Sequence, residues 1–231
     1  MHRLLLGVAA AALAVGSLSQ ANASPASLGT TMGQIRLAAS SAAPTNQFVF
    51  APQGAVRFCL TYSAECQPST PTRVALDEAT ILTLDRVNRS VNARIAPKPD
   101  MPGEDRWDLY KTEGDCDDYA TQKRHELRSL GFPASALVLA AGFIPNGEAH
   151  LVLMVLTDRG DYVLDNLTSQ IRPWNRTGIR WMARQSQDNP MVWQSMGGSR
   201  SRVNALQLSA VRVDLGPPSH GALVQGPSPE L

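Results

Sequence analysis

The chain has 231 residues with 21 basic and 20 acidic side chains, so its formal net charge is only +1. A near-neutral balance argues against nucleic acid and anionic membranes as partners, because both select a clustered positive surface. The length suffices for one domain with a real hydrophobic core.

The first 23 residues have the composition of a secretory signal. Arg3 gives a basic start, residues 4–18 form an apolar run, and Ala21-Asn22-Ala23 fits the small-x-small pattern of a cleavage site. The apolar run is shorter than the ~20 residues of a spanning helix, so we expect cleavage after Ala23 rather than a retained anchor. The sequence therefore predicts a periplasmic or secreted protein without membrane insertion after cleavage.

The segments before and after the folded domain are predicted to be unstructured. Residues 24–45 are rich in small residues and predict a flexible leader, and the glycine- and proline-rich residues 216–231 predict a disordered tail. The folded domain should therefore span residues 46–215.

The three cysteines divide into a close pair and a single one. Cys59 and Cys66 are seven residues apart, and export permits disulfides, so we expect them to be bonded, with two reduced thiols as the alternative. Cys116 is then unpaired, which in an exported protein indicates an intermolecular bond or a reactive role.

Two helices are expected within residues 73–130. Apolar residues recur at three- and four-residue steps over 73–95, and Pro97 stops that pattern. A second helix should run over 116–130, with Asp115 as its N-cap and Gly131 at its end.

Strand patterns follow this second helix. Residues 136–140 predict one strand, residues 150–157 a second that is apolar on both faces and hence central, and residues 161–166 a third that returns from a turn. Residues 204–214 alternate and predict a late strand. The fold class is α+β, with the helix that carries Cys116 packed on an antiparallel sheet.

Cys116 is a candidate nucleophile because it lies in the first turn of a predicted helix. Free N–H groups and the helix dipole stabilise a thiolate there, whereas the flanking Asp115, Asp117 and Asp118 oppose it. An imidazole that takes the proton is therefore required. A purely structural cysteine is the alternative.

His150 is the candidate base. His2 falls in the signal, His220 in the tail, and His125 lies two and a half turns along the helix from Cys116, pointing elsewhere. A catalytic imidazole is oriented by an acid, and Asp165 returns toward His150 along the third strand. A simple register places Asp165 opposite Met154 or Leu153, so a bulge, a strong twist or a shifted register must close the gap. The alternative is that Asp165 caps the end of the strand.

Three strings carry a family resemblance: Gly114-Asp115-Cys116-Asp117-Asp118-Tyr119-Ala120, Gly147-Glu148-Ala149-His150, and residues 160–166 ending in Asp165-Asn166. Together they resemble the bacterial transglutaminase-like cysteine proteinases over about residues 50–180. The segment Phe58-Cys59-Leu60 and Trp107 are also similar to that family.

The resemblance implies a papain-like or transglutaminase-like core and thioester chemistry. Cys116 would be the nucleophile, His150 the base and then the acid, and Asp165 the residue that orients His150. The Cys116 N–H and the Trp107 indole N–H are candidate oxyanion donors, although Trp107 also fits a core or cleft-wall position. Hydrolysis of a protein substrate at the cell envelope is the expected activity; the alternatives are amide transfer or deamidation by the same triad, and a non-catalytic envelope binding module. A regulatory protein partner is compatible with each.

No cofactor is required by this chemistry and no metal ligand is assigned. Some relatives with the motif depend on calcium, and Asp115, Asp117 and Asp118 carry oxygen ligands of the type that calcium prefers. Neighbouring helical residues point in different directions, however, and helix capping explains these acids as well. Calcium therefore remains an alternative at this stage.

Overall fold

A computed structural model describes residues 35–70, 72–101 and 103–196. The expected signal at 1–23, the late strand at 204–214 and the tail at 216–231 lie outside the described residues. Among the described residues, none of the helices combines the length and hydrophobicity needed to cross a membrane.

Three α-helices and nine strands make up this part of the chain. The helices are α1 (Gln53–Thr61), α2 (Glu78–Arg94) and α3 (Cys116–Ser129). The strands are β1 (Phe48–Val49), β2 (Ala96–Pro97), β3 (Glu113–Gly114), β4 (Leu137–Phe143), β5 (Ala149–Thr157), β6 (Gly160–Leu164), β7 (Arg172–Pro173), β8 (Arg180–Gln185) and β9 (Trp193–Ser195).

An antiparallel sheet of seven strands forms the centre, in the order β1-β9-β8-β4-β5-β6-β7. β5 lies between β4 and β6, which confirms the prediction that its run of apolar residues is central. Its alternate side chains enter two cores: Leu151, Leu153 and Val155 on one face, Val152 and Met154 on the other. Because both faces are covered, β5 has no polar face. The α+β fold class is confirmed.

Helix α2 begins five residues later than the sequence predicted. The Asp77 carboxylate accepts the Thr80 N–H at 2.8 Å and so caps the helix. The residues before it are used elsewhere: Val74 forms a bridge with Thr157, and Arg73 Nη1 lies 2.8 Å from Asp161 Oδ1.

The described end of the predicted leader, residues 35–45, makes contacts with the folded domain. The Ala43 N–H is donated to Asp161 Oδ2 at 2.7 Å, and Ser40 Oγ to the Asp161 carbonyl at 2.7 Å. Ala43 is buried with the second core. This segment has little hydrophobic pattern, but the buried carboxylate of Asp161 requires donors, and the segment supplies one.

The three tryptophans between residues 174 and 193 pack in or against the two cores. Trp193 is fully buried and meets Trp107 edge-on, with ring centroids 6.3 Å apart. Trp174 and Trp181 cover the second core. Their role here is packing on both sides of the sheet.

The disulfide between Cys59 and Cys66 is present, as predicted. It closes a short loop in which the buried Glu65 meets three side chains of α3, two arginines and a histidine. Glu65 lies 3.0 Å from Arg124 Nη1, 2.8 Å from His125 Nδ1 and 2.7 Å from Arg128 Nη1. These bonds join the loop to α3, and they explain why His125 is directed away from Cys116.

We predict that Glu65→Gln destabilises the protein at pH 7 by about 2 kcal/mol, because buried cations lose their carboxylate. Burial disfavours the charged form of Glu65, but hydrogen bonds from His125 and Arg128 outweigh it and hold the pKa of the carboxyl below its usual range. Such a group stabilises the fold above the unfolded pKa of 4.5 and ceases to do so as the pH falls through its folded value.

Urea unfolding at pH 7 and pH 4 tests this. The difference between wild type and Glu65→Gln should shrink at the lower pH, while Glu113→Gln, which removes an exposed ion pair with Lys98, should change stability by less than about 0.5 kcal/mol. A loss that is the same at both pH values would contradict the electrostatic explanation.

Candidate active site

Cys116 is the first residue of α3, and the strand pair before it fixes its position. β3 pairs in parallel with β2 and leads directly into the helix. The half-buried thiol is free, and its Sγ accepts the N–H of Leu151 at 3.5 Å. Because Leu151 follows His150 on β5, the helix start and the strand start meet at this point.

His150 and Asp165 form a buried pair beside that thiol. His150 Nε2 lies 2.8 Å from Asp165 Oδ1. Burial disfavours ionisation of Asp165, but the hydrogen bond and charge of His150 outweigh it and hold the pKa of Asp165 below its usual range. With Nε2 engaged, Nδ1 is the ring nitrogen that remains to exchange a proton with another group.

The gap between His150 and Asp165 is closed at the end of β6. Leu164 pairs with Leu153, so β6 ends one residue before Asp165 instead of carrying it opposite Leu153 or Met154. The chain then turns, and the Leu167 N–H is donated to Asp165 Oδ1 at 3.0 Å. A shifted register and this turn bring the carboxylate to His150. The same carboxylate also caps the end of the strand through the Leu167 N–H.

Two asparagines of α2, which the sequence analysis did not single out, hold the loop that carries Asp165. Asn92 Nδ2 donates to the Asp165 carbonyl at 2.9 Å. Asn88 Nδ2 donates to the carbonyls of Thr168 and Ser169 at 3.3 and 3.2 Å. Two asparagines four residues apart, on a helix face that otherwise buries leucine and valine, are the signal that could have identified them.

An acidic cluster surrounds the start of α3, formed by Asp115, Asp117 and Asp118 together with Asp100 and Asp105 of the preceding loop. Asp115 occupies the predicted N-cap position, but its side chain makes no capping bond. Burial, and next the charge of Asp115, raises the pKa of Asp117 to about 11. Burial also raises the pKa of Asp118 to about 6.

The same surroundings disfavour the thiolate of Cys116. Burial, followed by the charges of Asp117 and Asp115, raises the pKa of this thiol to about 12, against the smaller effect of the Leu151 N–H. Asp117 and Asp115 thus disfavour the thiolate, in the direction that the sequence predicts. A nucleophilic role for Cys116 would therefore require another group that takes the proton, or a cation that offsets the acids.

Trp107 is a buried residue of the first hydrophobic core. Its indole N–H is donated to Asp105 Oδ1 at 2.7 Å, and Asp105 Oδ2 accepts the Gly54 N–H at 2.8 Å. The indole donor is thus occupied by a carboxylate, so an oxyanion role for Trp107, which stays a prediction, would first require that bond to break.

The polar segment 104–113 is held against α3 by side chains of the helix. Asp118 Oδ1 accepts the Asp108 N–H at 2.9 Å, and Gln122 Oε1 accepts the Tyr110 N–H at 2.8 Å. A cavity of about 260 Å³ opens beside this segment and is lined by Gly114 and Asp118 among others. A second cavity of about 490 Å³, between residues 35–38 and 170–173, includes none of the candidate triad residues.

Comparison with known proteins gives one family match. The sequence model described as bacterial transglutaminase-like cysteine proteinase (BTLCP) matches residues 45–201. Among solved structures, the chain is similar to calcium-bound Legionella pneumophila LapG, with 22% identity and a TM-score of 0.45 over 55% of this chain and 77% of that one. For Legionella pneumophila LapG the identity is 24% and the TM-score 0.44, over 56% of this chain and 76% of that one. For its EGTA-treated form the identity is 23% and the TM-score 0.43, over 56% of this chain and 77% of that one. A search of curated proteins finds no match.

We predict that Gly114→Ala disturbs the start of α3. A Cβ at this position would lie 2.0 Å from Asp118 Oδ2 and 2.7 Å from both Asp118 Cβ and Cγ, so the carboxylate or the strand must move. We expect a loss of about 1–3 kcal/mol in urea unfolding and loss of hydrogen-exchange protection at the Asp108 amide, whose acceptor is Asp118.

Gly131→Ala is the matched control at the other end of α3. Its φ of +91° makes the substitution costly, but an added Cβ meets nothing within 4 Å. It should lower stability and leave the Asp108 amide protected. Equal hydrogen-exchange protection of the Asp108 amide in both variants would show that the Asp118 carboxylate does not need the space left by glycine at position 114.

Proposed function

Because the chain belongs to the bacterial transglutaminase-like cysteine proteinase family, we propose that Cys116, His150 and Asp165 form the triad of an exported cysteine peptidase. The chain is a transglutaminase-like cysteine peptidase, and the proposal states which of its residues carry out the reaction. One arrangement carries the proposal: the buried His150–Asp165 bond of 2.8 Å next to a thiol that accepts the N–H of the residue after His150.

Acylation begins with proton transfer from the thiol to His150. The sulfur attacks the carbonyl carbon of a peptide bond, and the oxygen of the tetrahedral intermediate becomes negative. The N–H of Cys116, at a helix start where no intrahelical acceptor exists, is suited to stabilise that oxygen. When the C–N bond breaks, His150 gives its proton to the amine, which leaves, and a thioester remains on Cys116.

Deacylation uses the same residues in reverse. His150 takes a proton from water while the water oxygen attacks the thioester carbonyl, and when the C–S bond breaks His150 returns that proton to the sulfur of Cys116. The products are a carboxylic acid and the regenerated thiol. Asp165 fixes the ring of His150 and stabilises its positive charge throughout.

The acidic cluster fits a calcium ion, which we propose as a ligand of this site. Asp115 Oδ1 and Asp117 Oδ1 are buried without a hydrogen-bond partner, and single ligand atoms of Asp115, Cys116 and Asp117 lie within 4.8 Å of one another. Calcium prefers oxygen, so the two carboxylates and not the thiol would hold it. A bound dication would supply positive charge that offsets the acids beside Cys116.

Export and a protein substrate complete the proposal. The disulfide between Cys59 and Cys66 supports an oxidising compartment, because such bonds seldom persist in reducing ones. The half-buried thiol, whose neighbours are backbone and carboxylates, suits an extended peptide segment presented at the cell envelope.

The triad is tested first by alkylation with iodoacetamide at neutral pH. We expect Cys116 to label rapidly in wild type. In His150→Ala it should label at about one hundredth of that rate or below, because the proton acceptor is lost. His125→Ala is the matched control, since that ring binds Glu65. Slow labelling of wild type with and without calcium, or no effect of His150→Ala, would favour the non-catalytic binding module.

Hydrolysis is tested with a library of proteome-derived peptides read by mass spectrometry. Cys116→Ala should abolish cleavage while changing the free energy of unfolding by no more than about 1–2 kcal/mol, because a half-buried thiol contributes little packing. Products in which the new carbonyl carries an added amine instead of water would identify amide transfer. Unchanged cleavage by Cys116→Ala would exclude the proposed nucleophile.

We predict that calcium stabilises the wild-type protein against thermal unfolding. An ion that binds only the native state at about 100 times its Kd adds about 2.7 kcal/mol. Asp117→Asn should remove this response, because a buried ligand loses its charge, whereas the exposed Asp188→Asn should keep it. A wild-type melting temperature that is the same in calcium and in EGTA would contradict the proposed calcium site.

A further inference from the structure

Four arginines line the cavity of about 490 Å³ that lies between residues 35–38, helix α2 and residues 170–173. They are Arg36, Arg89, Arg172 and Arg176. Asp85 is the one acidic residue of the lining, so four positive charges against one negative charge give it a formal charge of +3. The formal net charge of the whole chain is only +1. This cavity, here called the arginine pocket, is therefore a local concentration of positive charge.

Hydrogen bonds outside the arginine pocket hold its walls in place. Asn88 Nδ2 of α2 donates to the Ser169 carbonyl at 3.2 Å, directly before the wall formed by residues 170–173. The third wall is joined to β6, because Tyr162 Oη donates to the Ala38 carbonyl at 3.0 Å. A pocket whose walls are already fixed loses little conformational entropy when a ligand binds. The shape of the pocket is thus set before any ligand enters.

The guanidinium groups of the pocket have donors that the described residues do not use. Arg89 Nε lies 2.9 Å from Asp85 Oδ2, and both terminal nitrogens of Arg89 have no partner among the described residues. Arg172 donates from Nη2 to Gln170 Oε1 at 3.1 Å, and the Arg176 side chain makes no hydrogen bond or ion pair within the described part of the chain. A planar guanidinium presents paired N–H groups that match the two oxygens of a carboxylate.

Apolar residues form the remaining surface of the arginine pocket. Ile171 is buried in the first core, and Leu37 packs against the same core. Pro173, also in the lining, is buried too. Binding sites commonly combine apolar surface, which provides contact area, with a few polar groups that fix the orientation of the ligand. The pocket therefore suits a ligand that carries both carboxylates and an apolar group.

We infer that the arginine pocket binds a short acidic segment of a partner protein, whose carboxylates pair with Arg89 and Arg176 and whose apolar side chain lies against Ile171. The volume is within the range of sites that take compact ligands, so a few residues of an exposed segment enter and a folded domain does not. The inference is separate from the proposed function, because the lining includes none of the candidate triad residues.

Three other occupants explain the pocket less well. Anionic membranes attract broad basic surfaces, whereas these arginines surround a concavity in a chain that is nearly neutral. The chain itself supplies few carboxylates outside the described residues, since residues 1–34 contain no acidic side chain and residues 197–231 contain two. In a second copy, Asp117 and Asp118 of the acidic cluster are buried, so they do not reach into a pocket on another molecule.

The first experiment measures the binding of short fluorescent peptides to the wild-type protein by anisotropy. The probe alternates glutamate and leucine, and the control peptide has glutamine in place of each glutamate. We expect saturable binding of the probe that weakens as sodium chloride is raised, and no measurable binding of the control. A third peptide, with serine in place of each leucine, should bind more weakly than the probe because its apolar contact with the pocket is lost.

The second experiment repeats the titration with arginine variants. Arg89→Gln and Arg176→Gln should each raise the Kd of the probe about tenfold or more, because a hydrogen bond to a charged group is lost. Arg86→Gln is the matched control, since Arg86 is an exposed residue of the same helix outside the pocket lining. It should bind the probe like wild type. All three side chains are exposed, so the variants should keep the melting temperature of wild type.

Absence of probe binding, or equal affinity for the glutamate and glutamine peptides, would overturn the inference. So would a Kd that Arg89→Gln and Arg86→Gln change to the same extent, or a serine peptide that binds as tightly as the probe, because either result indicates attraction to surface charge alone. Binding to phosphatidylglycerol vesicles that depends on Arg89, without binding of the probe, would assign the pocket to a membrane surface instead. A wild-type dimer in analytical ultracentrifugation that Arg89→Gln dissociates would assign it to a second copy.

Discussion

The buried bond between His150 and Asp165 is the interaction on which the arrangement of the molecule depends. Each partner lies at the end of a strand, where a carboxylate and an imidazole would ordinarily reach water. The fold keeps them together by ending β6 at Leu164, by the Leu167 N–H on the carboxylate, and by Asn92 on the Asp165 carbonyl. Helix α2 is thus attached to the site through its polar residues, while its apolar residues fill the core.

Helix α3 has an unusual composition for a buried helix. Its buried positions include Asp117, Asp118, Thr121, Gln122, Lys123 and Arg124. Most of these hold something in place: Asp118 and Gln122 hold the preceding loop, and Arg124 holds the Glu65 loop and the Leu137 carbonyl. Buried polar groups that are satisfied in this way fix a single arrangement of the parts around them. The helix is therefore an organiser of loops more than a source of hydrophobic stabilisation.

Much of this fold is readable from local patterns. The start of α3 follows from its capping pattern, and the central position of β5 follows from its run of apolar residues. The Cys59–Cys66 bond follows from the short spacing between the two cysteines. The start of α2 was predicted wrongly because apolar spacing continues upstream of Asp77, whose capping bond ends it. The hydrogen bond from Asn92 to the Asp165 carbonyl joins residues 73 positions apart in the sequence, and no local pattern encodes a partner at that distance. The role of Trp107 also depends on such a contact, since its bond to Asp105 becomes visible only when the loop is folded.

The nucleophile and the base of the proposed triad lie in different electrostatic surroundings. Burial and the carboxyl groups of Asp117 and Asp115 raise the pKa of the Cys116 thiol. Burial also disfavours ionisation of Asp165, but His150 and the Leu167 N–H outweigh it and hold the pKa of Asp165 below its usual range. Under the proposed function, a cation at the first turn of α3 would therefore favour the thiolate of Cys116 without changing the hydrogen bond between His150 and Asp165.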